Sequence, residues 1–245
     1  MHPPDSIDYE FILRKAWPII LANIAVPLLG LVDTAVIGNV GTVEDLGAIA
    51  FGALIFSFVY WSFGFLRMGT TGFAAQAYGA GDELEVRAIL GRSLLLATSL
   101  GLLLIFLQWP IRLVAFYLLT GGETVEVIAQ QYFSIRIWGA PATLSIFALM
   151  GVLIGLGQSR TLLLVQLFLN GLNMVLDIWF AGLLGWGAEG IALGTVIAEW
   201  STVVFSGWLV FNLLNARKSS TEQFWSKRQV FDPIKLRRTL SANTD

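Results

Sequence analysis

The chain has 245 residues, 56% of them hydrophobic and only 13% charged, about half the roughly 25% charge content of a soluble globular domain. Seventeen acids against fifteen bases leave a net charge of -2, so there is no overall basic field to hold nucleic acid. The lack of cysteine and the single histidine, His2 in a polar leader, exclude disulfide frameworks, thiolate zinc sites, cysteine nucleophiles and His-based triads.

A membrane-crossing helix needs about 20 mostly apolar residues, and six stretches qualify in chain order. The first covers residues 17–39 and carries Pro18, Pro27 and Asp33. The second covers 46–67 and runs on toward Tyr78. The third, 93–111, has no charge inside it and is bracketed by Arg92 and Arg112. The fourth, 125–156, is longer than one crossing requires and contains Arg136 and Pro141. The fifth and sixth lie at 162–184 and 191–214. These are solid apolar runs without the alternation of a barrel strand. The expected fold is all-α and polytopic: a leader over 1–15, a six-helix membrane unit over 16–215 and a basic linker over 216–245.

Orientation follows from the bases near the helix ends. With the N-terminus inside, the cytoplasmic segments hold twelve of the fifteen bases, including Arg14, Lys15, Arg87, Arg92 and Arg160, and only Arg112 lies outside. Both termini are therefore expected in the cytoplasm, in a cell inner (plasma) membrane. The leader, with Pro3, Pro4, Asp5 and Asp8, lacks the basic start of a signal peptide.

Glycines such as Gly151, Gly155 and Gly157 read as close helix packing, not as a nucleotide fingerprint, since no strand precedes them. Trp17, Trp109, Trp179 and Trp186 fall near the expected membrane surfaces, while Trp61, Trp138 and Trp200 lie deeper, where they could line a cavity but are expected in lipid-facing or packing roles.

Charges inside the bilayer are costly, at about 2.5–3.5 kcal/mol each on insertion scales, and those that persist mark function. Asp33, Asp177 and Glu199 are such residues. Asn173 lies one turn before Asp177, and Thr195 one turn before Glu199, on shared helix faces. Two nearby carboxyls in low dielectric hold a proton readily. The same oxygens, with an amide and a hydroxyl, also suit a hard cation such as sodium, and a transition-metal site is not expected. Glu199 could instead face the bundle surface or pair with Arg136. Arg136 is expected to lock backbone carbonyls freed by Pro141. Arg67 is expected to snorkel or to hold the Gly-Thr-Thr-Gly segment that follows it.

The stretches IAVPLLGLVDTAVIG (24–38), LRMGTTG (66–72), AQAYGA (75–80), NGLNMVLDIW (170–179) and TVIAEW (195–200) resemble the multidrug and toxic compound extrusion (MATE) transporters, in particular their DinF-like branch. The resemblance covers residues 10–245 in order. It implies one lobe of a two-lobe, twelve-helix antiporter that exports small organic or cationic compounds against protons or sodium. It carries the coupling roles onto Asp33, Asn173, Asp177 and Thr195, and the bend of the first span onto Pro18; Glu199 fits the branch without an assigned role. No cofactor beyond the coupling ion is implied, and the chain is not expected to be an enzyme.

The chain matches only the first lobe and ends where a seventh helix would begin. The expectation is a truncated, frameshifted or split gene product, or an engineered half. Activity would then require a second six-helix lobe or a homodimer partner in the lipid bilayer. The alternatives are a non-transporting membrane fragment or assembly partner, and a relative of lipid-linked-sugar flippases. A flippase would be expected to have a strongly cationic cavity, whereas only Arg67 and Arg136 fall within predicted spans.

Overall fold

The computed structural model describes Trp17, Ile20, Ala35, Gly38, Asn39, residues 41–119 and 121–217, Phe224 and Val230. Asp33, Pro18, Pro27 and most of the predicted first span therefore lie outside the described residues, as do His2 and most of the linker.

Among the described residues every regular element is helical: α1 (Val43–Trp61), α2 (Phe65–Gly79), α3 (Glu83–Phe106), α4 (Gln108–Leu118), α5 (Glu123–Arg136), α6 (Ala140–Gly155), α7 (Ser159–Asp177) and α8 (Gly187–Asn215). Several are joined almost end to end. Together they make five apolar rods long enough to cross a membrane: Val43–Gly79, Glu83–Phe106, Glu123–Gly155, Ser159–Leu183 and Gly187–Asn215. These correspond to the second through sixth predicted spans.

The helix starts follow from side chains that satisfy otherwise orphaned N–H groups. Thr42 caps α1 by accepting from the Asp45 N–H at 3.1 Å, and Asp45 returns the bond by accepting from the Thr42 N–H at 3.0 Å. Asp82 caps α3 by accepting from the Glu85 N–H at 2.9 Å. Asp45 also reaches across the bundle: its Oδ1 accepts from the Ala188 N–H, in the first turn of α8, at 3.1 Å. One carboxylate thus serves two helix starts separated by 143 residues.

α6 is the central element. It packs against α2, α3 and α8, and Ala142, Leu144, Ala148, Val152 and Leu153 on it are fully buried. Close approach is secured by glycine: a β-carbon on Gly155 would lie 2.7 Å from Ala74 Cβ, and one on Gly151 would lie 2.8 Å from the Arg67 carbonyl oxygen. The other main pairings are α1 with α5, α5 with α8, and α7 with α8.

Three span boundaries differ from the sequence reading. α3 begins ten residues before the predicted third span, so that Arg92, expected to bracket the span, is buried within the helix together with Arg87. Arg92 is paired there with Glu85, which offsets part of the cost of its burial. The third predicted span also breaks at Leu107, after which α4 starts as a separate helix with Pro110 in its first turn. The fourth span is interrupted by a 3-10 turn at Ile137–Gly139, just ahead of Pro141. Trp61, Trp138 and Trp200 lie exposed on the outside of the bundle.

Candidate functional site

α7 carries a polar face at helical spacing: Gln166, Asn170, Asn173 and Asp177. At its lower-numbered end the Gln166 amide points to Asn170 Oδ1 at 3.4 Å. At its other end Asn173 and Asp177 are completely buried, with no solvent exposure at either. Asn173 Nδ2 donates to Asp177 Oδ1 at 3.3 Å, and to Thr195 Oγ1 on α8 at 3.2 Å. The Thr195 hydroxyl in turn donates to the Ile191 carbonyl at 2.8 Å, so its lone pairs face the Asn173 amide. The structure thus brings together three of the four residues expected to act as a set; Asp33 lies outside the described residues.

Two backbone features shape this junction. Directly after Asp177 the helix widens into a π-helical turn, Ile178–Leu183, a form that concentrates at functional sites. Opposite, a β-carbon on Gly194 would lie 2.6 Å from Asp177 Oδ1 and 3.3 Å from Leu176 Cβ. Only glycine lets α8 come this close to the carboxylate. Sequence reading did not single out Gly194, nor Gln166 and Asn170, although the spacing of the two amides was a usable signal.

The donor set is a carboxylate, an amide and a hydroxyl. Asn173 directs its N–H group inward to Asp177 and Thr195, and its Oδ1 is buried and accepts no hydrogen bond from the described residues. A buried acceptor of this kind is costly unless a donor or a cation meets it. Among the described residues no three His, Cys, Asp or Glu side chains gather into a metal-binding group.

One turn past Thr195, Glu199 faces Arg136 at the end of α5. Arg136 Nη1 donates to Glu199 Oε2 at 2.8 Å and Nη2 donates to Oε1 at 2.6 Å, a bidentate ion pair with both residues buried. The guanidinium also stacks over the rings of Phe56, at 5.3 Å, and Tyr60, at 5.8 Å, on α1. Arg136 was expected to hold carbonyls freed by Pro141, and it does not. Pro141 falls in the first turn of α6, where a missing N–H is tolerated, and hydroxyls serve the nearby carbonyls: Thr143 donates to Gly139 at 3.2 Å and Ser145 to Pro141 at 2.7 Å.

For Arg67 the snorkelling alternative stays open, while its side chain does not hold the following segment. Its side chain is exposed, and the contact with the Gly-Thr-Thr-Gly segment runs through its backbone carbonyl, which accepts from the Thr71 hydroxyl at 2.7 Å.

A family model described as MatE matches residues 18–179. The chain belongs to the MatE family. It is 42% identical over 207 residues to DNA damage-inducible protein F of Escherichia coli K12, a match covering 84% of this chain and 45% of that protein. It is 28% identical to the "Probable multidrug resistance protein NorM" of Synechococcus, over 93% of this chain and 49% of that one. A solved multidrug resistance MATE family transporter in an outward-facing conformation shares the fold, with a TM-score of 0.80 at 24% identity, over 94% of this chain and 50% of that one. The chain thus spans about half the length of the relatives it matches. The MatE match makes it a multi-pass membrane protein of a transporter family, not of an enzyme family.

Proposed function

We propose that this chain is the ion-coupling lobe of a secondary antiporter, which exports small organic or cationic compounds in exchange for protons or sodium. The observation that carries this reading is the Asn173–Asp177–Thr195 constellation, in which Asn173 and Asp177 are fully buried. Asp177 supplies a carboxylate that can take up a proton or a monovalent cation. Thr195 Oγ1 supplies a neutral oxygen that a hard cation prefers, and Asn173 Oδ1 joins it when the amide turns its oxygen, in place of Nδ2, toward Asp177. Asp33 and the bend at Pro18 complete the proposed set from the first span, with Asp33 undergoing the proton-dependent movement and Asp177 its fixed counterpart.

Alternating access needs two bodies that move against each other. In this reading the second is another six-helix lobe, or a second copy of the chain. Residues 16–215 form the lobe, 1–15 the leader and 216–245 the linker, with both termini in the cytoplasm of an inner membrane.

The test is efflux from proteoliposomes containing this lobe joined after Asp245 to a related second lobe. With Asp177→Asn, efflux driven by a pH or sodium gradient is expected to be lost while the protein remains folded. Undiminished gradient-driven efflux would reject the assignment. Asn173→Ala and Thr195→Ala separate the ions: with sodium as coupling ion either raises the sodium requirement sharply, and with protons neither does.

A further inference from the structure

The geometry assigns to Arg136 and Glu199 a positioning role: the pair fixes the rotation of α8 about its own axis, and so presents Thr195 to Asn173. The purpose of that register rests on the coupling function proposed above; the register itself does not.

α8 is 29 residues long and mostly apolar, and in lipid there is no hydrophobic force between helices to select one face. Its rotation must come from close contacts and polar ties. Gly190 and Gly194 permit approach to the chain around Asp177, but a glycine contact alone does not forbid a small rotation. Two polar ties lie nearer its start, from Ala188 to Asp45 and from Thr195 to Asn173; the next along the helix are at 199–200. The Arg136–Glu199 pair is bidentate, which fixes the carboxylate plane as well as its distance. Beside it, Trp200 Nε1–H donates to the Trp138 carbonyl at 3.1 Å. Both ties end on the same short stretch, from Arg136 at the end of α5 to Trp138 in the 3-10 break that follows it.

That stretch is built around the pair. A β-carbon on Gly139 would lie 2.3 Å from Glu199 Oε2 and 2.7 Å from Arg136 Nη1, so the salt bridge occupies the space where a side chain would be. Phe56 and Tyr60 cover the guanidinium from α1. Thr195 lies four residues before Glu199, on the same face and about 5–6 Å away between β-carbons. Rotating Glu199 away from Arg136 therefore swings Thr195 off Asn173.

A buried ion pair is a weak source of stability, because the desolvation of two charges offsets most of their attraction, and an apolar pair of similar volume often folds as well. Its best-attested use is to specify register. This separates positioning from stabilisation experimentally.

The chain has no cysteine, so Asn173→Cys with Thr195→Cys introduces a single possible disulfide between α7 and α8. In the full-length chain in detergent, this pair is expected to cross-link efficiently on mild oxidation. Adding Arg136→Met and Glu199→Leu together should leave the thermal midpoint unchanged but lower the cross-linking rate about fivefold or more, the scale of a pairwise coupling in a packed site. Arg136→Lys, which keeps the charge and loses the bidentate fork, should fall between. A cross-linking rate unchanged in the apolar double variant would overturn the positioning role. Failure of that variant to fold would overturn it as well, since the pair would then be a stabilising element. No ion gradient enters the measurement, so its outcome is independent of whether Asp177 couples transport.

Discussion

Asp177 Oδ1 lies where a β-carbon on Gly194 would approach it to 2.6 Å. The carboxylate and the bare backbone of α8 are thus fitted to one another across the α7–α8 junction. The relation is local: the same carboxylate oxygen receives the Asn173 amide at 3.3 Å, and that amide also reaches Thr195, the next residue after Gly194.

Gly194→Ala should therefore damage the site out of proportion to its size. A methyl group forced against the carboxylate costs about 1–3 kcal/mol as overpacking, or displaces Asp177 from Asn173. Gly207→Ala on the same helix is the control, because nothing lies within 4 Å of a β-carbon there. In the two-lobe chimera, gradient-driven efflux should fall several-fold for Gly194→Ala and remain unchanged for Gly207→Ala. Equal activities would mean that the close approach has no bearing on Asp177.

The double use of Asp45 leads to a stability prediction. Removing a cap costs about 1 kcal/mol and up to about 2, and Asp45→Ala removes a bond at the start of α1 and another at the start of α8. A loss of roughly 1–3 kcal/mol is expected, read as a lower thermal midpoint in detergent. Glu44→Ala, at an exposed neighbouring position, should change stability by less than about 0.5 kcal/mol. A small effect of Asp45→Ala, equal to that of Glu44→Ala, would show that the tie between Asp45 and Ala188 does not hold the two helix starts together.

The helical class and the five spans that fall among the described residues were legible because apolar runs in lipid leave the backbone few alternatives to a helix. The polar set was legible for a related reason: Asn173, Asp177, Thr195 and Glu199 stand out against hydrocarbon at helical spacing. The start of α3 was not, because Arg87 and Arg92 read as loop residues until Glu85 is seen folded back on Arg92. Nor was Gly194, one of 25 glycines, whose importance depends on which carboxylate the neighbouring helix brings to it. The Arg136–Glu199 pair was among the alternatives the sequence left open; the expected hold of Arg136 on carbonyls freed by Pro141 failed because proline at a helix start differs from proline within a helix, and only the break at Ile137–Gly139 tells them apart.

The asymmetry of bases predicts which ends face the cytoplasm. Reporter fusions at Gly121, between α4 and α5, should report the periplasm, and fusions at Ser219 the cytoplasm. Arg112 would then be the lone base on the outer side. The reverse pattern would invert the lobe and require Arg14, Lys15 and the tail bases to be translocated, against the charge bias that sets topology.

The last prediction concerns Asp33, in the first span. If it is the residue whose protonation moves that span, its carboxyl must exchange a proton during transport, and an amide of the same shape cannot. In the two-lobe chimera, Asp33→Asn should abolish efflux driven by a pH gradient while leaving folding intact. The driving force is adequate for such a step: one pH unit supplies about 1.4 kcal/mol per proton, and 100 mV about 2.3 kcal/mol per charge. A sodium-driven lobe would behave differently. There the carboxylate charge itself holds the ion, so Asp33→Asn would weaken sodium-driven efflux, and raising external sodium would partly restore it. Proton-driven efflux that persists undiminished in Asp33→Asn would place proton coupling on Asp177 alone or in the second lobe. The same measurement on Asp177→Asn distinguishes those two, because loss there keeps the coupling within this lobe and survival moves it to the other.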